Sequence, residues 1–193
     1  MKKTGRFISV HIVLGIVLAV ALIAADQVTK FLAVIFLKGN NSYVLIDGVL
    51  ELKYLENSGA AFGIFQNKQW AFYIITGIIV CLIIFFWTVI FSKLKNYCSF
   101  CDENPSVYSS KTYNDMIALS YILMALFAGA IGNLIDRVIN KYVVDFIYFS
   151  FINFPVFNFA DILVTVSAIM MVVFFIFIFK DDENFALLGK RKK

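Results

Sequence analysis

The residues with the clearest chemical potential in this chain are four aspartates that border its apolar runs: Asp26, Asp136, Asp145 and Asp161. A carboxylate at membrane depth is costly, and it usually faces a helix-bundle interior or a wet cavity. Two carboxylates held close together there cannot both ionise easily, so that one pKa rises and the pair shares a proton. The ionised partner can then deprotonate a water while the neutral partner donates to a carbonyl, as in aspartic proteases.

Two basic residues, Lys30 and Arg137, lie near the first two aspartates in the sequence, and each is expected to neutralise one of them. Asp26 and Lys30 are four positions apart, which places them on one face of a helix. Asp145, in the stretch VVDFIYF, and Asp161, in FNFADI, have no obvious local cation. They are therefore the candidate pair for acid–base chemistry, although their spacing does not show that they meet.

Other interpretations of these residues exist. A carboxylate at a helix N-terminus caps free N–H groups and suits the helix dipole, which alone could explain Asp161. It does not explain Asp145 or the nearby Asn158. A Ser58–Lys30 pair is a further catalytic possibility that spacing does not exclude. A small ion-coupled transporter and a structural membrane protein are the rival classes, but the acids form one layer rather than a ladder through the bilayer.

The elements that must position these residues are long apolar runs. The chain is 61% hydrophobic and 16% charged, whereas about 25% of the residues in soluble domains are charged. Roughly 20 helical residues cross a hydrocarbon core, and runs of that order occupy residues 7–25, 70–91, 116–135 and 162–179. We therefore predict an all-α membrane protein, a four-transmembrane-helix bundle that forms one domain over residues 1–193.

The orientation follows from the distribution of Lys and Arg, which are more frequent in residues 1–6, 92–115 and 180–193 than in 26–69 and 136–155. The positive-inside rule then places both termini in the cytoplasm and the aspartate layer near the outer face. The basic start of the chain also fits a cleaved signal peptide, although the first apolar run is long for one.

Two connecting segments have distinct patterns. Asp47-Gly48 stands between alternating apolar residues, which predicts a β-hairpin and hence a small extracytoplasmic β-structure between the first and second spans. A turn or short helix near residues 59–65 is expected to follow and to form, with the hairpin, a mobile wall over the site. The polar 92–115 segment is expected to be an irregular connector, with Cys98 and Cys101 as reduced thiols.

The third span carries small residues towards its outer end. Ala125 and Gly129 form one small-xxx-small pair, and Ala128 and Gly132 form another. Such pairs let helix backbones approach closely in a membrane. We therefore expect tight helix packing at the level of the aspartates.

Five motifs appear in order: DQVTK (26–30), NSGAAFG (57–63), GNLIDR (132–137), VVDF (143–146) and FNFAD (157–161). Together they resemble the motif set of lipoprotein signal peptidase (signal peptidase II), a family of four-span bacterial aspartyl endopeptidases. The resemblance covers nearly the whole chain from residue 26 to about residue 165. It implies removal of the signal peptide from prolipoproteins by cleavage before a diacylglyceryl-modified cysteine, without a metal or other cofactor.

The resemblance also implies residue roles, with Asp145 and Asp161 as the catalytic pair. The positions implied to bind substrate or support the pair are Asp26, Lys30, Asn57, Gly59, Asn133, Asp136, Arg137 and Asn158. Asp136 is implied to be a structural acid beside Arg137. Ile162 departs from the family, which more often has a serine there.

The implied location is the bacterial cytoplasmic (inner) membrane, as a multi-pass protein with its active site near the outer face. The implied partners are diacylated prolipoproteins and membrane lipid. The basic net charge of +4 is explained by contact with anionic lipid at the inner leaflet, so that no nucleic-acid partner is expected. We expect the chain to be a monomer.

Overall fold

The computed structural model describes residues 2–59, 69–103 and 109–178. The elements within them are α1 (Lys2–Leu37), β1 (Tyr43–Ile46), β2 (Leu50–Asn57), α2 (Gln69–Glu103), α3 (Ser110–Asn140), β3 (Val143–Phe149), a 3-10 turn (Ser150–Ile152), α4 (Phe159–Val173) and a π-helical turn (Phe174–Ile178). Four of the described helices are long and apolar enough to cross a membrane. This confirms the predicted four-helix architecture, and the chain is a multi-pass membrane protein.

The helices extend beyond the apolar runs that predicted them. α1 continues to Leu37, so that Asp26 and Lys30 lie on regular helix and form an ion pair one turn apart. α3 passes through the GNLIDR motif and ends at Asn140, and the φ of 70° at the capping residue Lys141 turns the chain. The N–H of Lys141 donates to the carbonyl of Arg137 at 3.2 Å. The DQVTK and GNLIDR motifs are therefore held on helix rather than on loops.

The hairpin predicted at Asp47-Gly48 is present. β1 and β2 pair antiparallel around this turn. Gly48 has a φ of +66°, which is a left-handed conformation that glycine adopts without steric cost. The N–H of Val49 donates to the carbonyl of Ile46 at 3.0 Å and closes the turn. The turn or helix predicted near residues 59–65 lies, beyond Gly59, outside the described residues.

A third strand, which the sequence analysis did not predict, completes the sheet. β3 pairs antiparallel with β2, from Leu50 opposite Phe149 to Asn57 opposite Val143. Its residues are mostly β-branched or aromatic, and these fit a pleated surface. Because β3 follows α3, the sheet joins the α1–α2 connection to the α3–α4 connection. It also gives Asp145 a fixed backbone position, opposite Leu55.

The prediction of an irregular connector over residues 92–115 was wrong for most of its length. α2 continues to Glu103 and α3 begins at Ser110. Buried residues recur at helical spacing along this part of α2: Ile90, Leu94, Tyr97, Cys98 and Cys101. Interleaved polar residues hid this apolar stripe, which packs on α3 and stabilises the helix. Both cysteines are free thiols.

Close packing of α3 against its neighbours is confirmed at the predicted glycines. A Cβ on Gly129 would lie 2.6 Å from the carbonyl oxygen of Ala160 on α4. A Cβ on Gly132 would lie 2.5 Å from Oδ2 of Asp26 on α1. Real Cβ atoms do not approach other atoms so closely, and the interior of a protein has little room to adjust. Only glycine fits at these two positions.

We expect Gly132→Ala to lower the free energy of unfolding by about 1–3 kcal/mol, because the added methyl group displaces the buried Asp26 carboxylate. The measurement is the melting temperature of the purified protein in detergent. Gly77→Ala is the matched control, since a Cβ there meets nothing within 4 Å. Equal melting temperatures for the two variants would contradict the close approach at Gly132.

Candidate active site

A cavity of about 520 Å³ opens where the start of α4 meets the end of α3 and β3. Its polar wall carries Asn57, Gly59, Arg137, Asp145 and Asp161. Much of the remaining wall is apolar and includes Phe154, Phe157, Ile162 and Val166. The two aspartates that the sequence could not show to meet thus line one cavity.

Asp145 is held on β3 by amide groups on either side. It is 1% exposed, and it accepts hydrogen bonds from Nδ2 of Asn57 at 2.8 Å and Nδ2 of Asn158 at 2.6 Å. The N–H of Gly59 donates to Oδ1 of Asn57 at 3.0 Å and so orients that amide. The pKa of Asp145 is raised to about 7, chiefly by burial and also by the charge of Asp161, against the opposing effect of the two amide donors.

Asp161 stands in the first turn of α4 and forms a capping box with Asn158. Oδ1 of Asn158 accepts from the N–H of Asp161 at 3.0 Å, and Oδ2 of Asp161 accepts from the N–H of Asn158 at 3.1 Å. The helix-cap interpretation of Asp161 is therefore confirmed. It does not exclude the site interpretation, because Oδ1 of Asp161 accepts a separate bond from Nδ2 of Asn133 at 2.8 Å.

Two amide side chains join the carboxylates. Nδ2 of Asn158 donates both to Asp145, as above, and to Oδ1 of Asn133 at 3.2 Å. Asn133 in turn donates to Asp161 through its own Nδ2. Nζ of Lys30 donates to Oδ1 of Asn133 at 2.9 Å. This bond fixes the orientation of the Asn133 amide, with its oxygen towards Lys30. The relative positions of the two carboxylates are thus set by a continuous chain of hydrogen bonds.

Behind the cavity lies a buried ionic cluster centred on Lys30. Its ammonium is 2.9 Å from Oδ2 of Asp26 and 3.2 Å from Oδ2 of Asp136, and all three residues are at most 3% exposed. Each carboxylate also accepts a backbone N–H, Asp26 from Ala160 at 2.9 Å and Asp136 from Val144 at 3.1 Å. The cluster therefore ties α1 and α3 to the start of α4 and to β3.

This cluster corrects two expectations. Lys30 neutralises both Asp26 and Asp136, whereas Arg137 makes no ion pair within the described residues. Adjacent helix residues do not share a face. Asp136 faces Lys30, so Arg137 lies on a different face of α3. The Ser58–Lys30 pair is also wrong for the described residues, because the protons of the Lys30 ammonium go to two carboxylates and Asn133.

Arg137 instead contacts two consecutive aromatic residues at the start of α2. Its guanidinium carbon lies 4.3 Å from the centre of the Phe72 ring. The hydroxyl of Tyr73 donates to the Arg137 carbonyl at 2.8 Å, and Nη1 of Arg137 donates to the Asn133 carbonyl at 3.4 Å. Phe72 was not predicted from the sequence, because a phenylalanine in an apolar run carries no chemical signal of its own.

Comparisons with known proteins found matches over most of this chain. The family described as signal peptidase (SPase) II, peptidase A8, matches residues 18–102 and 105–177. The chain is 39% identical over 168 residues to a lipoprotein signal peptidase of Clostridium tetani (strain Massachusetts / E88), covering 86% of this chain and 89% of that protein. A lipoprotein signal peptidase of Streptococcus agalactiae serotype III (strain NEM316) is 33% identical, covering 87% of this chain and 93% of that protein.

Two solved structures described as bacterial membrane enzymes have similar folds. The first, at 2.3 Å resolution, superposes with a TM-score of 0.67 and 30% identity over 93% of this chain and 94% of that chain. The second, at 1.9 Å resolution, gives a TM-score of 0.65 and 32% identity over 85% and 93%. With its motifs, its fold and these relatives taken together, the chain belongs to the signal peptidase II family.

Proposed function

We propose that this chain is a membrane-embedded aspartic endopeptidase that removes the signal peptide from prolipoproteins and cleaves before the diacylglyceryl-modified cysteine. The relatives named lipoprotein signal peptidase support the substrate class. The single observation that carries the aspartic mechanism is the placement of Asp145 and Asp161 on the wall of one cavity, joined through two amide side chains.

In the proposed mechanism the Asp145–Asp161 pair holds one proton, because two carboxylates that line one largely apolar cavity cannot both ionise easily. The ionised carboxylate takes a proton from water as the water oxygen attacks the scissile carbonyl carbon. The protonated carboxylate donates to the carbonyl oxygen, which gives a tetrahedral diol. One carboxylate then gives its proton to the leaving nitrogen while the other takes a proton from a hydroxyl of the diol, which breaks the C–N bond and leaves the pair with one proton.

The supporting residues have roles that follow from their contacts. Asn57, Asn133 and Asn158 hold the two carboxylates, and Gly59 orients Asn57. Arg137 lines the cavity and offers its guanidinium donors there to a substrate backbone carbonyl. The elements that carry these residues are tied together by the buried ionic cluster of Asp26, Lys30 and Asp136. The apolar wall excludes bulk water, which strengthens each electrostatic contact.

We further propose that the chain acts as one monomeric domain in the bacterial cytoplasmic membrane, with both termini in the cytoplasm. This orientation is supported by the excess of Lys and Arg in the segments assigned to that side. It places the Asp145–Asp161 pair near the outer face, where a prolipoprotein exposes the bond between its membrane-spanning signal peptide and its lipid-anchored cysteine.

The test of the proposed function uses the purified full chain in detergent with a diacylated prolipoprotein. We expect one cut, immediately before the modified cysteine, as read by mass spectrometry of both products. The same prolipoprotein without its diacylglyceryl group is the control and is expected to stay intact. Cleavage elsewhere, or equal cleavage of the unmodified protein, would contradict the substrate assignment.

The raised pKa of Asp145, about 7, predicts a specific pH dependence. Below that pH the pair keeps a proton to donate; above it the pair loses that proton and with it the acid of the reaction. We therefore expect kcat/KM to fall about tenfold per pH unit on the alkaline side, with an apparent pKa of about 7 for the coupled pair. A rate that stays constant or rises between about pH 7 and 9 would contradict this assignment.

A further inference from the structure

Arg137 is a cation that lies near carboxylates. It makes no ion pair with any of them in the described part of the chain. Its side chain lines the same cavity as Asp145 and Asp161, and Asp136 precedes it on α3. Paired guanidinium and carboxylate groups form some of the strongest hydrogen bonds in proteins. A guanidinium in this position therefore needs a further contact that prevents it from forming an ion pair with Asp145 or Asp161.

Phe72 supplies that contact. The guanidinium carbon lies 4.3 Å from the ring centre, well within the distance of about 6 Å at which a cation is attracted to the face of an aromatic ring. Phe72 is half-buried at the start of α2, so that the attraction is only partly screened by solvent. The neighbouring Tyr73 fixes the backbone of the same arginine through its carbonyl. Consecutive α2 residues thus hold both the side chain and the backbone of Arg137.

We propose that Phe72 is a positioning residue for Arg137: its ring keeps the guanidinium open towards the cavity, where the guanidinium donates to a backbone carbonyl of the substrate. This inference rests on the proposed peptidase function and deepens it. Arg137 lines that cavity, and no carboxylate of the described residues forms an ion pair with it, which leaves guanidinium donors for the substrate.

Loss of the ring has two consequences. The substrate carbonyl loses an oriented donor, which weakens binding. The released guanidinium turns to the nearest carboxylates and favours their ionised form, so that the pair gives up its proton at lower pH. The charged and titratable groups that face this region are Asp136 on α3, Asp145 on β3, Asp161 on α4, Lys30 on α1 and Tyr73 on α2. Lys30 is already engaged by Asp26 and Asp136, which leaves Asp145 and Asp161 to Arg137.

The experiment compares Phe72→Leu with wild type in the cleavage assay on diacylated prolipoprotein across the pH range. Leucine keeps an apolar side chain but has no aromatic face. We expect kcat/KM to fall about tenfold and the alkaline limb of the pH profile to move to lower pH. Phe72→Tyr restores the aromatic face and is expected to retain wild-type values. Phe86→Leu is the matched control, because Phe86 lies on the same helix and is 53% exposed.

A Phe72→Leu enzyme that matches Phe86→Leu in rate and pH profile would overturn the inference. An equal loss of kcat/KM in Phe72→Tyr would also overturn it. So would a loss from Phe72→Leu that stays as large when Arg137 is already replaced by lysine, because the effect must act through the guanidinium. If Phe72→Leu does not fold, Phe72→Met gives the same test. Failure of the proposed function is distinguishable, because wild type itself would then not cleave.

Discussion

Asp145→Asn and Asp161→Asn are each expected to abolish cleavage, with kcat lowered by at least about a thousandfold. Asparagine has nearly the shape of aspartate but can neither accept the proton of water nor donate a carboxylic proton. The two carboxylates act as one unit that shares a proton, so that the loss of either one removes the chemistry. The observable is the rate at which diacylated prolipoprotein is converted, in single turnover with excess enzyme.

The melting temperature of each variant separates loss of chemistry from loss of fold. The cavity retains its amide groups in both variants. The asparagine side chain in Asp161→Asn also keeps an oxygen that can accept the capping bond from the N–H of Asn158, so we expect cooperative melting. Asp47→Asn is the control, because that carboxylate stands exposed in the hairpin turn. A folded Asp145→Asn or Asp161→Asn protein with wild-type turnover would remove the substituted residue from the mechanism.

Lys30→Met is expected to lower the free energy of unfolding by about 3–5 kcal/mol, because it leaves two buried carboxylates without their cation. Methionine keeps most of the length of lysine, so that the change isolates the charge from the packing. Both carboxylates anchor backbone groups, one at the start of α4 and one on β3. We therefore expect α4 and β3 to loosen together, which a lower melting temperature in detergent would report.

Lys38→Met provides the matched control. Lys38 also forms an ion pair, with Glu56 at 2.8 Å, but both side chains of that pair are exposed to solvent. Exposed pairs contribute little to stability because water and salt screen them. If Lys30→Met and Lys38→Met melted at the same temperature, the buried cluster would not be what holds these elements together.

Much of the fold follows from local properties of the sequence. The spans were predictable because crossing a membrane requires a long apolar run, and few other structures have such runs. The hairpin was predictable because Asp-Gly favours its turn. The contacts of Gly129 and Gly132 follow from the preference of membrane helices for small residues where they pack closely. Each of these features is encoded within about 20 consecutive residues.

The parts that were not predicted depend on contacts between distant residues. β3 becomes a strand because β2 is beside it, and its sequence alone resembled an apolar connection. Lys30 serves two carboxylates, one of them far away in the sequence on α3, whereas sequence proximity suggested Arg137 for Asp136. The contact of Phe72 with Arg137 likewise arises only when the start of α2 packs against the end of α3.

The central claim is that the Asp145–Asp161 pair performs the hydrolysis. Its most direct test measures cleavage of diacylated prolipoprotein by Asp161→Asn and Ser58→Ala side by side, in detergent, with folded protein in both samples. We expect no product from Asp161→Asn and a rate close to that of wild type from Ser58→Ala. Cleavage by Asp161→Asn together with an inactive Ser58→Ala would contradict it and assign the chemistry to a serine.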